Sequence, residues 1–253
     1  MITFKKIFSN FSLSYIENAE ECELPDYQLK YDHSLRVLDN CQEICDSLNL
    51  YEKSASTYKI AALFHDTGRF PQYLKYKTFS DANSCNHATL GVKYILRKKL
   101  LEDLPKSQLR IILGAVALHN RNVLPSNISK ELKFTTEIVR DSDKIDIMGV
   151  LLKHMKGVEP LSSVPLLDLK EKPDELTESV LLSLEACKQA AYREMNCLND
   201  FRLLLLSWSY DLNFKWTKKQ MIERGIVERI FSQLPKNQRI EKLYVPIMKQ
   251  LKS

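Results

Sequence analysis

The chain has 253 residues, 44% hydrophobic and 27% charged, with only 6 glycines. This is the composition of a soluble globular protein with a sizeable core, and it excludes disordered, collagen-like and loop-rich β classes. Its 37 basic and 32 acidic residues leave a net charge of +5 spread along the chain, which reads as solvated helix faces rather than a nucleic-acid patch and favours small anionic ligands.

Residues 1–15, MITFKKIFSNFSLSY, lack the uninterrupted apolar stretch of a secretory signal, and the run Leu203 to Leu206 is far short of a membrane span. The six cysteines contain no C-x-x-C pair. They read as reduced, mostly buried thiols in a cytoplasmic protein, with Cys41 and Cys45 as core filler at helical spacing.

In chain order, residues 31–50 carry a helical apolar pattern from Leu35 to Leu48, with His33 in the first turn. A second helix runs from Ser54 as N-cap to Phe64, stopped by Gly68 and Pro71, with His65 and Asp66 in its last turn. Residues 71–86 read as a loop or short irregular helix, of a kind that often covers a site. Asn86 caps a third helix with His87 in its first turn; a fourth follows Pro105 and ends at His119. The fifth starts at Thr135 or Thr136 and is apolar nearly all round through Leu151, so its embedded Asp141, Asp143 and Asp146 require a reason. Pro160, Pro165 and Pro173 mark a connector, after which helices are expected at about 175–195, 198–213, 217–233 and 239–251.

Four of the five histidines thus fall at helix termini, where a bundle aims side chains into one cavity. Imidazole and carboxylate donors together suit Fe, Mn, Zn, Ni or Co, with Mg possible. His33, His65, Asp66 and Asp143 would hold one ion, and Asp66, His87 and His119 a second. Two such ions would stabilise entering and leaving oxygens in a displacement at phosphorus. Periodicity does not choose between Asp141 and Asp143.

The blocks "YDHSLRV", "ALFHDTGRF", "NHATLGV", "ALHN" and "RDSDKID", in this order across residues 27–155, resemble the HD superfamily of metal-dependent phosphohydrolases. The resemblance implies an all-α HD-domain helical bundle: an N-terminal segment over 1–26, a metal-binding core over 27–157, and a helical extension over 158–253 packing on it. It implies the ligand set His33, His65, Asp66 and Asp143, with Asp143 preferred over Asp141 through the Ser142-Asp143 pair. The pair His87 and His119 resembles the two-metal subgroup. Asp66 is then the bridging carboxylate, and a hydroxide between the metals attacks the phosphate ester. Arg69 stands where the family often places a basic residue and would steady the developing charge. Arg36, Asn120 and Lys144 flank the ligands as substrate or supporting contacts, and Asp146 is a supporting or substrate-side acid.

Tyr73, Tyr76 and Phe79 either stack on a base or sugar or anchor the loop in the core; His154 lies outside the pattern. The expected activity is cleavage of a phosphomonoester or phosphodiester of a nucleotide or small phosphorylated metabolite, with no stable nucleic-acid complex and no membrane. A mixed-valent di-iron oxygenase related to myo-inositol oxygenase resembles the same ligand set. A sensor that has lost catalysis does not need all six ligands. No Walker-type loop, nucleophile elbow or dinucleotide fingerprint is found.

Overall fold

The computed structural model describes residues 1–154 and 169–253, with side chains apart from Lys53 and residues 151–154. The side chain of His154, the 157/158 boundary, Pro160 and Pro165 fall outside the described residues. Those residues contain twelve α-helices and no strand. They form two compact units, Met1–Asp146 and Ile147–Ser253.

In the first unit, α1 (Ile2–Ile16), α2 (Leu24–Ser47), α3 (Glu52–Phe64), α4 (Arg69–Tyr76), α5 (His87–Arg97), α6 (Lys106–Leu118) and the first part of α7 (Lys130–His154) follow one another. Helix α3 packs on α2 and α6, and α5 packs on α6. Ile60, Ala61, Ala62, Leu63 and Phe64 are fully enclosed, so the apolar run before His65 is the centre of the bundle. Helix α7 joins through Asn40, whose Nδ2 donates to Ser142 O at 3.1 Å, and through Phe134, whose ring meets Tyr58.

Helix α1 was not anticipated. Its Phe8 packs edge-on against Phe64 and Phe70, and its Phe11 against Phe70, so the N-terminal segment supports both sides of the His65-Asp66 turn. Tyr73 and Phe79 are buried against each other, with the Tyr73 hydroxyl donating to Asp26 at 2.5 Å, so they anchor the loop; Tyr76 is exposed.

Several boundaries differ from the sequence reading. Helix α2 starts at Leu24 with Pro25 in its first turn, where a missing N–H costs nothing, so His33 lies well inside the helix rather than in its first turn. Helix α3 starts at Glu52 with Tyr51 as N-cap, and ends with His65 as C-cap and Asp66 in the turn beyond. Helix α7 starts at Lys130, after Ser129, whose Oγ accepts from Leu132 N–H; Thr135 and Thr136 lie inside the helix and bond back to the carbonyls of Glu131 and Leu132. The expected starts of α5 and α6 hold: Asn86 Oδ1 accepts the Thr89 N–H at 2.8 Å, and Pro105 precedes α6.

The chain does not stop at Gly68 but re-enters helix at Arg69, with Pro71 in the first turn of α4. Gly68 has an ordinary negative φ. Its requirement is spatial: a Cβ there would lie 2.0 Å from the His87 carbonyl oxygen and 2.6 Å from Gly91 N, so only glycine lets the start of α5 approach the turn.

The second unit holds α8 (Glu178–Glu185), α9 (Leu198–Ser207), α10 (Lys215–Glu223), α11 (Ile226–Phe231) and α12 (Gln238–Lys252); α8 and α9 are shorter than the periodicity suggests, while α12 matches the expected 239–251 helix to within one residue at each end. The expected 217–233 helix breaks at Gly225, which has φ +59°. Helix α9 is buried throughout Asn199–Ser207. Cys41, Cys45 and Cys197 are buried, Cys85 is intermediate, and Cys22 and Cys187 are exposed; all six are free, so the thiols are less uniformly buried than expected. No described helix is long and apolar enough to cross a membrane.

Candidate metal centre

Four helix segments and the turn after α3 bring His33, His65, Asp66, His87, His119 and Asp143 together in the first unit. His65 and His119 arrive by the same local device. Each caps the C-terminus of an apolar helix, and each ring folds back so that Nδ1–H donates to a carbonyl of the last turn, Ala62 O at 2.8 Å and Val116 O at 2.7 Å. Those carbonyls have no helical N–H to accept, which is why a histidine serves well there.

His33 and His87 use carboxylates instead. His33 Nδ1 lies 2.7 Å from Asp146 Oδ2, and His87 Nδ1 lies 2.8 and 2.7 Å from the two oxygens of Asp81. The acceptor opposite each Nδ1 makes it the proton-bearing nitrogen, so the neutral form of each ring presents an Nε2 lone pair inward.

The inward atoms meet at short range. His33 Nε2 is 3.1 Å and His65 Nε2 3.6 Å from Asp143 Oδ1, and all three atoms are buried with no hydrogen-bond partner. Asp66 stands between the two sides. Its Oδ2 is 3.6 Å from His33 Nε2 and 3.7 Å from His65 Nε2; its Oδ1 is 3.3 Å from His87 Nε2 and 3.7 Å from His119 Nε2.

Two groups have ligand atoms within 4.8 Å of one another: His33, His65 and Asp143, and His65, Asp66 and His119. His65 thus faces both positions, where the sequence reading gave it to one. Buried lone pairs with no donor to satisfy them are costly, and a divalent cation satisfies them, so these residues fit a metal.

Electrostatics agree with that fit. Burial alone would raise Asp66, but Lys30, His65, Arg69 and His119 outweigh it and hold its carboxyl well below the usual range. Asp143 is likewise held low against burial by His33 and His65. Burial and Arg69 push His87 down to about 3 despite Asp81. Both acids are ionised and His87 is neutral at neutral pH, the protonation states in which such groups bind metals.

The remaining expected residues sort differently. Arg36 donates to Asp146 at 2.7 and 3.1 Å, so Asp146 is fixed between Arg36 and His33. Asn120 Nδ2 donates to Asp81 Oδ2 at 3.1 Å. Arg69 Nη1 donates to Phe79 O, Gln72 Oε1 and Asp81 Oδ1, tying the loop to α4, while its Nε is 3.5 Å from Asp66 Oδ1. Asp141 and Lys144 are buried on α7 and belong to neither group.

Two residues were missed. Lys30 Nζ lies 2.7 Å from Asp66 Oδ2 and 5.3 Å from the centroid of the Phe79 ring. Asp81, in the loop before α5, accepts from His87, Arg69, Gln72 and Asn120. In the sequence Lys30 is an ordinary helix-face lysine, and Asp81 lies in a polar loop with no periodicity to single it out.

Residues 31–148 match the profile of the HD domain family, a superfamily of metal-dependent hydrolases. No curated protein and no solved structure matches the chain.

Proposed function

Since residues 31–148 are an HD domain, we propose that the chain is a metal-dependent phosphohydrolase that cleaves a phosphomonoester or phosphodiester of a nucleotide or small phosphorylated metabolite. The observation that carries this reading is the set of inward lone pairs on His33, His65 and Asp143, buried and without hydrogen-bond partners. His33, His65 and Asp143 would hold one ion; Asp66, His87 and His119 would hold a second, with His65 facing both. Fe, Mn, Ni, Co and Zn take such mixed nitrogen and oxygen donors, whereas Mg would rely on the carboxylate oxygens and water. Bound there, a divalent ion supplies a water of lowered pKa as nucleophile and neutralises charge on the phosphoryl oxygens.

The protein's own contribution is orientation and charge. Asp146 and Asp81, with the carbonyls of Ala62 and Val116, hold the four rings in the tautomer that presents Nε2. Asp66, Lys30 and Arg69 form a close charged group, and the Lys30 and Arg69 side chains are each 15% exposed. An incoming phosphate therefore meets two cations beside the ligands, and their charge favours the anion as it develops further negative charge at the leaving oxygen.

Arg69 is committed to the loop through Nη1, whereas the Lys30 ammonium contacts the ligand Asp66, so Lys30 would be the better phosphate contact. His65→Ala and Asp66→Ala are expected to remove metal and phosphate release together. A metal-free His65→Ala variant with full activity would overturn the reading.

A further inference from the structure

Each histidine of the centre needs an acceptor for Nδ1–H if Nε2 is to face a metal. His65 and His119 close their helices and use carbonyls of the last turn. His87 is the first residue of α5, with no preceding turn to offer one. We propose that Asp81 fills this place and is the positioning residue of the second metal position, fixing the His87 ring so that Nε2 faces Asp66 and His119. The inference rests on the metal-centre reading and adds to it a residue outside the ligand set.

The geometry around Asp81 is that of a hub. Oδ1 lies 2.8 Å from His87 Nδ1, 3.1 Å from Arg69 Nη1, 2.9 Å from Gln72 Nε2 and 3.4 Å from the His87 backbone nitrogen. Oδ2 lies 2.7 Å from His87 Nδ1 and 3.1 Å from Asn120 Nδ2. Every one of these neighbours is an N–H donor, and only an ionised carboxylate offers acceptor sites on both sides for so many. An asparagine would turn an NH₂ group into this ring of donors.

The donors come from α4, α5 and the end of α6, so one side chain holds the loop, the start of α5 and the edge of α6 in a single arrangement. Gln72 strengthens it by also donating to Ser84 Oγ and Cys85 O, each at 2.9 Å. On the opposite side Asp146 does for His33 what Asp81 does for His87, with Arg36 in the supporting role. The two metal positions are thus supported alike, each by one acid outside the ligand set.

The test uses the full chain with Mn(II) as probe. The wild type is expected to bind two ions. Asp81→Ala and Asp81→Asn should keep one and lose affinity for the other by roughly 10- to 100-fold, the usual effect of removing a partner behind a ligand histidine. His87→Ala should do the same, and the double variant Asp81→Ala/His87→Ala should lose no more than His87→Ala alone.

A second readout needs no metal. In chelator-treated protein, nitrogen NMR should find His87 protonated on Nδ1 in the wild type and divided between tautomers in Asp81→Ala. An Asp81→Ala protein whose His87 stays on the Nδ1–H tautomer, or whose two ions are lost together with the cooperative thermal transition, would overturn the inference. A wild type that binds no Mn(II) contradicts the metal-centre reading instead, and the NMR readout still decides the role of Asp81.

Discussion

His87 and His119 face each other Nε2 to Nε2 at 3.0 Å, while each Nδ1 is held by an acceptor, Asp81 for one and the Val116 carbonyl for the other. Two lone pairs at this distance repel unless a cation or a proton lies between them. With Asp66 Oδ1 at 3.3 Å from one and 3.7 Å from the other, the three atoms make a natural cation position.

Metal binding should therefore stabilise the fold. An ion at one hundred times its dissociation constant contributes about 2.7 kcal/mol, which for a chain of this size raises Tm by roughly 5–10 °C. Thermal unfolding with chelator and with Mn(II) checks this, and His119→Ala should reduce the shift. Equal Tm values in both conditions would count against the metal centre.

The chelated protein should show a stability maximum near pH 6.5. His87 has a folded pKa of about 3, depressed by burial and Arg69. Its contribution is present above the unfolded value near 6.5 and is lost as pH falls towards 3, at up to about 1.4 kcal/mol per pH unit. His33 behaves oppositely: burial and Lys30 lower it, but Asp143 and Asp146 prevail and its pKa is raised. Its contribution is complete below 6.5 and is lost as pH rises through the folded value. Tm measured against pH should thus fall on both sides, and His87→Asn should make the acid limb shallower, with Asp66 and Asp143 still losing their contribution there, while leaving the alkaline limb unchanged.

Gly68→Ala should be strongly destabilising for its size. The new Cβ would meet the backbone of His87 and Gly91, neither of which can turn aside as a side chain can. A cost of about 1–3 kcal/mol is expected, together with weaker binding at the position that includes His87. Urea unfolding and metal titration read the two effects separately.

Lys30→Met should raise KM for the phosphate ester by about tenfold, the equivalent of about 1.4 kcal/mol, while leaving the metal content intact. The aliphatic stem is kept, so only the ammonium beside Asp66 is removed. Unchanged KM would show that Lys30 serves Asp66 alone.

Much of this centre is legible in the sequence because its ligands sit at features with strong local signals. His65-Asp66 ends an apolar run, Asn86 is a true cap before His87, and Pro105 sets the frame that ends at His119. The start of α2 was misread although Pro25 and the acids around Glu20 and Glu23 carry the signal. The same holds for α7, where Ser129 is the usable cap and Thr135 and Thr136 are interior. Lys30 and Asp81 were beyond reach for another reason: Lys30 meets Asp66, 36 positions on, only through folding, and Asp81, though six positions before His87, lies in a polar loop with no periodicity to aim it there.

Metal-dependent phosphate-ester hydrolysis can be read from one preparation measured three ways. Protein purified without oxygen and loaded in turn with Mn, Fe, Co, Ni and Mg is assayed for bound metal, phosphate release from nucleotides and other phosphate esters, and oxygen uptake. Phosphate release that depends on bound metal is expected, with no oxygen consumed, and it should be lost in Asp66→Ala. Oxygen consumption by the iron-loaded protein on a polyol or phosphonate, with no phosphate released from any ester, would contradict it.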